Sequence, residues 1–180
     1  MPLVPRYFTA EMVRALPEDG QRYEVVHGEL LVTPAPTLPH QRVVTRLVVA
    51  LAPYCERLGL GEVLTSPADV SWGEDVLVQP DVFVTARDEA GLREWSSLRT
   101  LDLVVEVLSP STAKQDRFQK RRLYQRQGVE TLWIVDIDRA LVEVWTPDAI
   151  LPLVRTEELV WHPPGAAEPL VIPVAGLFAP

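Results

Sequence analysis

Apolar and polar positions along this chain change period several times, and the changes mark out the expected elements. Residues 8–16 read as a short helix capped by Thr9 and stopped by Pro17. Residues 23–33 are β-rich on both sides of His27-Gly28, where glycine supplies the positive φ of a tight turn, so a hairpin is expected. Pro34, Pro36 and Pro39 follow as a stiff linker. Over about 40–58, Val43, Val44, Leu47, Val48, Leu51, Tyr54 and Leu58 recur at three- and four-residue spacing. That period predicts an amphipathic helix despite Pro53, with His40 at its N-terminal end on the core-facing side. Strands are expected at 62–72, 77–85 and 102–108. Ser109-Pro-Ser-Thr112 reads as a helix entry, with Ser111 or Thr112 capping the amides of a helix over 113–127 that Gly128 ends. A hairpin of strands at 130–136 and 141–145 comes next, and the proline-rich tail adds one or two short strands, including 170–174.

The strand at 102–108 holds the most informative residue. Alternation puts Val104, Glu106 and Leu108 on one face and Leu103, Val105 and Val107 on the other, so both faces are mostly apolar and Glu106 lies within a central strand. A lone ionised carboxylate in such surroundings costs several kcal/mol, and it normally shifts its pKa, pairs with a cation or holds a metal. Asp81 stands in a second short apolar run, after Pro80 and on the side of Phe83 and Thr85, and can meet Glu106 if the two strands are neighbours. The only two lysines are Lys114 and Lys120. On a helix Lys120 shares its side with Ala113, Asp116, Leu123 and Tyr124 and faces inward, whereas Lys114 lies with Arg117 and Arg121. Phe118 falls nearly opposite Lys120, which implies apolar contacts on two sides of that helix.

Composition narrows the classes. The chain has 180 residues, 47% hydrophobic and 23% charged, as one soluble domain spanning 1–180 requires. No apolar run is long enough to span a bilayer and the start lacks a secretory signal pattern, so a cytoplasmic protein is expected. The single cysteine, Cys55, reads as a buried reduced thiol. A net charge of -8 argues against coating nucleic acid non-specifically, though not against a local basic cleft.

The order Tyr23-Glu24-Val-Val-His-Gly28, His40, Gln-Pro80-Asp81-Val, Val-Val-Glu106-Val-Leu-Ser-Pro-Ser-Thr112 and Asp116-Arg-Phe-Gln-Lys120-Arg-Arg-Leu-Tyr124 resembles the Uma2 family of restriction-endonuclease-like proteins. That family belongs to the PD-(D/E)XK nuclease superfamily, and the resemblance runs from about residue 7 to 178. It implies an α/β (α+β) fold with an αβββαβ core, a mixed sheet flanked by helices, and an N-terminal β-hairpin. It also implies Mg2+ or Mn2+ held by Asp81, Glu106 and the backbone carbonyl of Val107, with Lys120 as the site lysine, Glu24 as a third carboxylate and His40 as a phosphate contact or proton shuttle. The superfamily's usual lysine position is Leu108 here, so Lys120 has to supply that charge from the next helix. The implied activity is hydrolysis of DNA phosphodiester bonds with no organic cofactor.

Two other readings stand beside it. One is a nuclease fold without catalysis, used to bind nucleic acid or protein, which Leu108 and the acidic charge favour. The other treats Asp81 and Glu106 as a glycosidase pair, which gives Lys120 no role and finds no cluster of aromatic platforms near the acids. Pairing into a homodimer is a further expectation, because Leu177 and Phe178 in the tail need cover.

Overall fold

A computed structural model describes residues 7–179. The chain runs through α1 (Ala10–Arg14), β1 (Arg22–Val26), β2 (Glu29–Thr33), α2 (Leu38–Leu58), β3 (Val63–Thr65), β4 (Val70–Gly73), β5 (Val76–Val78), β6 (Val82–Thr85) and β7 (Leu101–Val107). It continues through a π-helical turn at Gln115–Lys120 into α3 (Arg121–Arg126), β8 (Thr131–Asp136), β9 (Leu141–Trp145), β10 (Leu153–Arg155), β11 (Glu158–Trp161), β12 (Leu170–Pro173) and α4 (Val174–Phe178).

Six strands form the central sheet in the order β10-β9-β8-β7-β6-β3, and four form a second sheet in the order β2-β1-β5-β4. The central sheet is mixed: β7 and β8 are parallel, joined by the α3 crossover, and the remaining pairs are antiparallel. The succession α2, β3, β6, β7, α3, β8 supplies the expected αβββαβ core, and the N-terminal hairpin is β1–β2. Both turn residues of that hairpin have positive φ, His27 at 50° and Gly28 at 79°, as a two-residue primed turn requires.

The core has two layers. Leu103, Val105 and Val107 pack with Val43, Leu47 and Leu51 of α2, while Val104 and Leu108 pack with Leu123 and Tyr124 of α3 and with the second sheet. The alternation read from the sequence along β7 therefore holds, and Leu108 is a core residue. Cys55 is buried and reduced.

Several expectations are corrected. The strands at 62–72 and 77–85 are each two strands in different sheets, because the chain crosses over at Ser66-Pro67 and at Gln79-Pro80-Asp81. Proline has no N–H to donate, so neither ladder continues through it. Pro39 lies within the first turn of α2, after the Thr37 cap, where the missing N–H leaves no intrahelical bond unmade. The first helix is only Ala10–Arg14, although Thr9 does cap it, accepting from the Met12 amide. Thr112 does not cap forward: its hydroxyl accepts from the Ser109 amide. Phe118 is exposed, so the helix that carries Lys120 has one apolar side. The tail forms three strands, and Leu177 is buried against the α2 layer, so it needs no partner chain to cover it. Among the described residues, no helix is long and apolar enough to cross a membrane.

Candidate active site

The site forms where the two sheets meet, and the crossover at Gln79-Pro80-Asp81 creates it. Strands β6 and β7 pair Val82 with Val105 and Phe83 with Val104, so Asp81 stands one step beyond the last pair, opposite Glu106. On β1 the alternation turns Tyr23 and Val25 toward α1, leaving Arg22 and Glu24 on the face of Val26, which packs into the inter-sheet core. His40 comes from the first turn of α2, and the π-helical turn delivers Asp116 and Lys120. All five acids and bases inferred from the sequence, Glu24, His40, Asp81, Glu106 and Lys120, are buried in this one region.

Asp81 is fully engaged. Its Oδ1 accepts from Arg22 Nη1 at 2.7 Å, and its Oδ2 accepts from the Val107 amide at 2.8 Å and from His40 Nε2 at 3.2 Å. Arg22 Nη1 also donates to Ser66 Oγ at 3.3 Å and to the Gln79 carbonyl at 3.2 Å. Lys120 stands among three carboxylates, with Nζ 2.8 Å from Glu24 Oε1, 3.1 Å from Glu106 Oε1 and 3.5 Å from Asp116 Oδ1. Tyr124 donates its hydroxyl to the same Glu106 Oε1 at 2.5 Å. Glu24 Oε1 further accepts from the Gln79 amide at 2.7 Å, tying β1 to the crossover. Glu24 is thus no solvated strand residue.

This cluster is left incomplete in two ways. Its four carboxylates, Glu24, Asp81, Glu106 and Asp116, face two permanent cations, Arg22 and Lys120, so full ionisation leaves a surplus of two negative charges. Buried Glu24 Oε2, Glu106 Oε2, Asp116 Oδ1 and His40 Nδ1 also have no hydrogen-bond partner. Both features are costly in a low-dielectric interior, where unpaired polar groups keep their full desolvation penalty.

The titration properties follow from the same geometry. Burial pushes Glu106 up to about 8, against the opposing pull of Lys120 and with help from the charges of Asp116, Asp81 and Glu24. Asp116 is raised for the same reasons. Asp81 moves the other way: burial disfavours its charge, but the His40 hydrogen bond and the charges of Arg22, His40 and Lys120 outweigh that and hold it below the usual range. Burial also opposes the charge of Lys120, yet Glu106, Glu24 and Asp116 raise it well above its ordinary value. Burial and the neighbouring charge of Glu106 raise Tyr124, so it remains a hydrogen-bond donor.

A cleft of about 830 Å3 opens onto Arg22, His40, Asp81 and Val107. Glu106 and Lys120 lie outside its lining. All the carboxylates offer hard oxygen donors, which suits magnesium or manganese, and the lack of a hydrogen-bond partner for Glu106 Oε2 and the excess of acids over permanent cations agree with a divalent ion. Among the described residues no three His, Cys, Asp or Glu side chains converge as a ready cage. A magnesium-type ion does not need one, since it uses one or two carboxylates and keeps several waters.

Sequence reasoning left three members of the site without a role. Arg22 was missed outright, although Arg22-x-Glu24 on an alternating strand already placed both on the face of Val26. Asp116 and Tyr124 were recognised as neighbours of Lys120 on the helix, but their contacts with the lysine and with Glu106 depend on how α3 docks.

Comparison with known proteins agrees with this architecture. A solved structure described as a putative nuclease belonging to DUF820, from Anabaena variabilis, superposes with a TM-score of 0.80, covering 95% of this chain and 97% of that one at 22% sequence identity. No curated protein matches. The model of the Uma2 family, described as "Putative restriction endonuclease", matches residues 10–175. The chain belongs to the Uma2 family.

Proposed function

We propose that the protein is a divalent-metal-dependent endonuclease that hydrolyses phosphodiester bonds in DNA. The observation that carries this reading is the buried Asp81–Glu106 pair, set beside a cleft and inside a cluster with more acids than permanent cations and with oxygens that lack hydrogen-bond partners. The family description and the name given to the Anabaena variabilis protein support the same chemistry.

Asp81, Glu106 and the Val107 carbonyl would hold magnesium or manganese, with Glu24 as a reserve carboxylate. A bound ion there lowers the pKa of a coordinated water and offsets phosphate charge. Lys120 cannot be the general base, because its raised pKa keeps it protonated at neutral pH. Its role is to hold Glu106 and Glu24 in place and to stabilise negative charge that develops nearby. His40 binds Asp81 through Nε2 and leaves Nδ1 as the ring atom able to meet a phosphate oxygen or pass a proton. The expected setting is the cytoplasm.

The test is cleavage of plasmid DNA and oligonucleotides with Mg2+ or Mn2+, by the wild type and by Glu106→Ala. Cutting that requires metal and vanishes in the folded variant supports the reading; cutting that survives Glu106→Ala sinks it. A second reading, a nuclease fold retained for binding alone, is favoured by Leu108, which fills the usual lysine position and is packed into the core. Metal-dependent turnover excludes that alternative.

A further inference from the structure

The cleft beside Asp81 also bears on the form in which a substrate arrives, an inference that rests on the nuclease reading above. At about 830 Å3 it has the size of a ligand pocket. Its lining includes two arginines, and both are matched: Arg14 pairs with Asp69 at 3.1 Å and Arg22 with Asp81 at 2.7 Å. Glu18 adds a further carboxylate to the lining, whereas neither lysine contributes to it. A duplex presents dense phosphate charge along both strands and is held by a lane of unpaired cations. The described residues that line this cleft provide no such lane, and the chain as a whole carries a charge of -8.

Depth points the same way. The side chains of Asp81 and His40 are only 3% and 9% exposed, so a phosphate must leave a regular duplex surface to reach them. Pro34, Pro36, Pro67 and Pro110 stiffen the cleft walls by fixing φ. Tyr23 also lines the cleft, anchored by its hydroxyl bond to Asp19 at 2.7 Å, and offers an aromatic surface for a base. We infer that the substrate enters as a single-stranded segment of a few nucleotides, held by the cleft walls and by stacking on Tyr23, and not as an intact duplex.

The experiment compares a labelled single-stranded oligonucleotide with the same sequence as a blunt duplex, using the purified full chain and manganese across a series of salt concentrations. The expected result is a kcat/KM for the single strand about tenfold or more above that for the duplex, as base stacking alone can supply. The log–log salt slope for the single strand should be about −2 or shallower, since each engaged phosphate contributes about −0.7. Adding a rim cation with Glu18→Lys should steepen the duplex slope by about 1, the change expected for one new phosphate contact. A duplex cut as fast as the single strand, or faster, overturns this inference alone. Failure to cut either substrate overturns the nuclease reading with it.

Discussion

Arg117 and Arg22 each sit beside two carboxylates, but only one of the two groups is complete. Arg117 bonds Asp136 Oδ2 at 2.6 Å and Glu143 Oε1 at 2.9 Å, while Asp136 Oδ1 accepts from the Arg139 amide at 3.0 Å and Glu143 Oε2 from Trp145 Nε1 at 3.3 Å. Every carboxylate oxygen there has a donor. Arg22 lies 2.7 Å from Asp81 and 3.8 Å from Glu24, within a group whose acids outnumber its permanent cations and whose Glu24, Glu106 and Asp116 each keep an oxygen without a hydrogen bond. Folding had donors available in both places. The group it left open is the one that reaches the cleft through Arg22, His40 and Asp81, and buried unsatisfied polar groups are where a binding or catalytic role is to be sought.

The contrast predicts unequal responses to removal of a central cation. Lys120→Met takes the only ammonium from three buried carboxylates and should destabilise the metal-free protein by about 3–5 kcal/mol in urea unfolding at neutral pH. Arg117→Met removes a partly exposed guanidinium and should cost about 1–2 kcal/mol. Equal losses would erase the distinction. Tyr124→Phe removes a donor to the buried Glu106 and should cost about 1–3 kcal/mol, the penalty of leaving a buried acceptor short of a partner.

Metal binding separates the two arginines more sharply than stability does. Arg22→Gln frees Asp81 Oδ1 and should tighten Mn2+ binding about tenfold, near 1.4 kcal/mol, whereas Arg117→Gln should leave it unchanged. Calorimetric titration of both variants decides this, and weaker binding in Arg22→Gln would remove Arg22 as a competitor for the site.

The smallest expected effect lies outside both groups. Asp102 stands where the pairing of β6 with β7 shifts register, and burial, reinforced by the charges of Glu130, Asp88 and Glu89, raises it from 3.8 to about 6. A carboxyl with a raised folded-state pKa binds more protons in the folded protein, so its contribution to stability falls as pH rises from about 3.8 through about 6. Asp102→Asn should therefore raise Tm at pH 7, with the gain shrinking as pH is lowered toward 3.8. An unchanged Tm at pH 7 would show that solvent screens this half-buried group.

How much of this could be read from the sequence depended on whether a signal was local. Glu106 announced itself as a carboxylate in an apolar strand, and helical spacing alone turned Lys120 and His40 inward. The hairpin, both long helical segments and the β7 faces followed from period and punctuation. What failed was non-local. Whether 62–72 is one strand or two depends on which sheet each half joins, and local alternation is silent about that. Alternation put Arg22 beside Glu24, but its contact with Asp81 depends on the crossover, and the π-helical turn that brings Asp116 and Lys120 to the site has no local signature in the residues that form it.

The most direct test of the central claim, that the open cluster is a metal site, is calorimetric titration of the wild type and Glu106→Gln with Mn2+, folding being verified for both. One bound ion per chain is expected in the wild type, with a loss of binding in the variant, which keeps the shape of Glu106 but not its charge. No binding in the wild type, or the same affinity in both proteins, would contradict it.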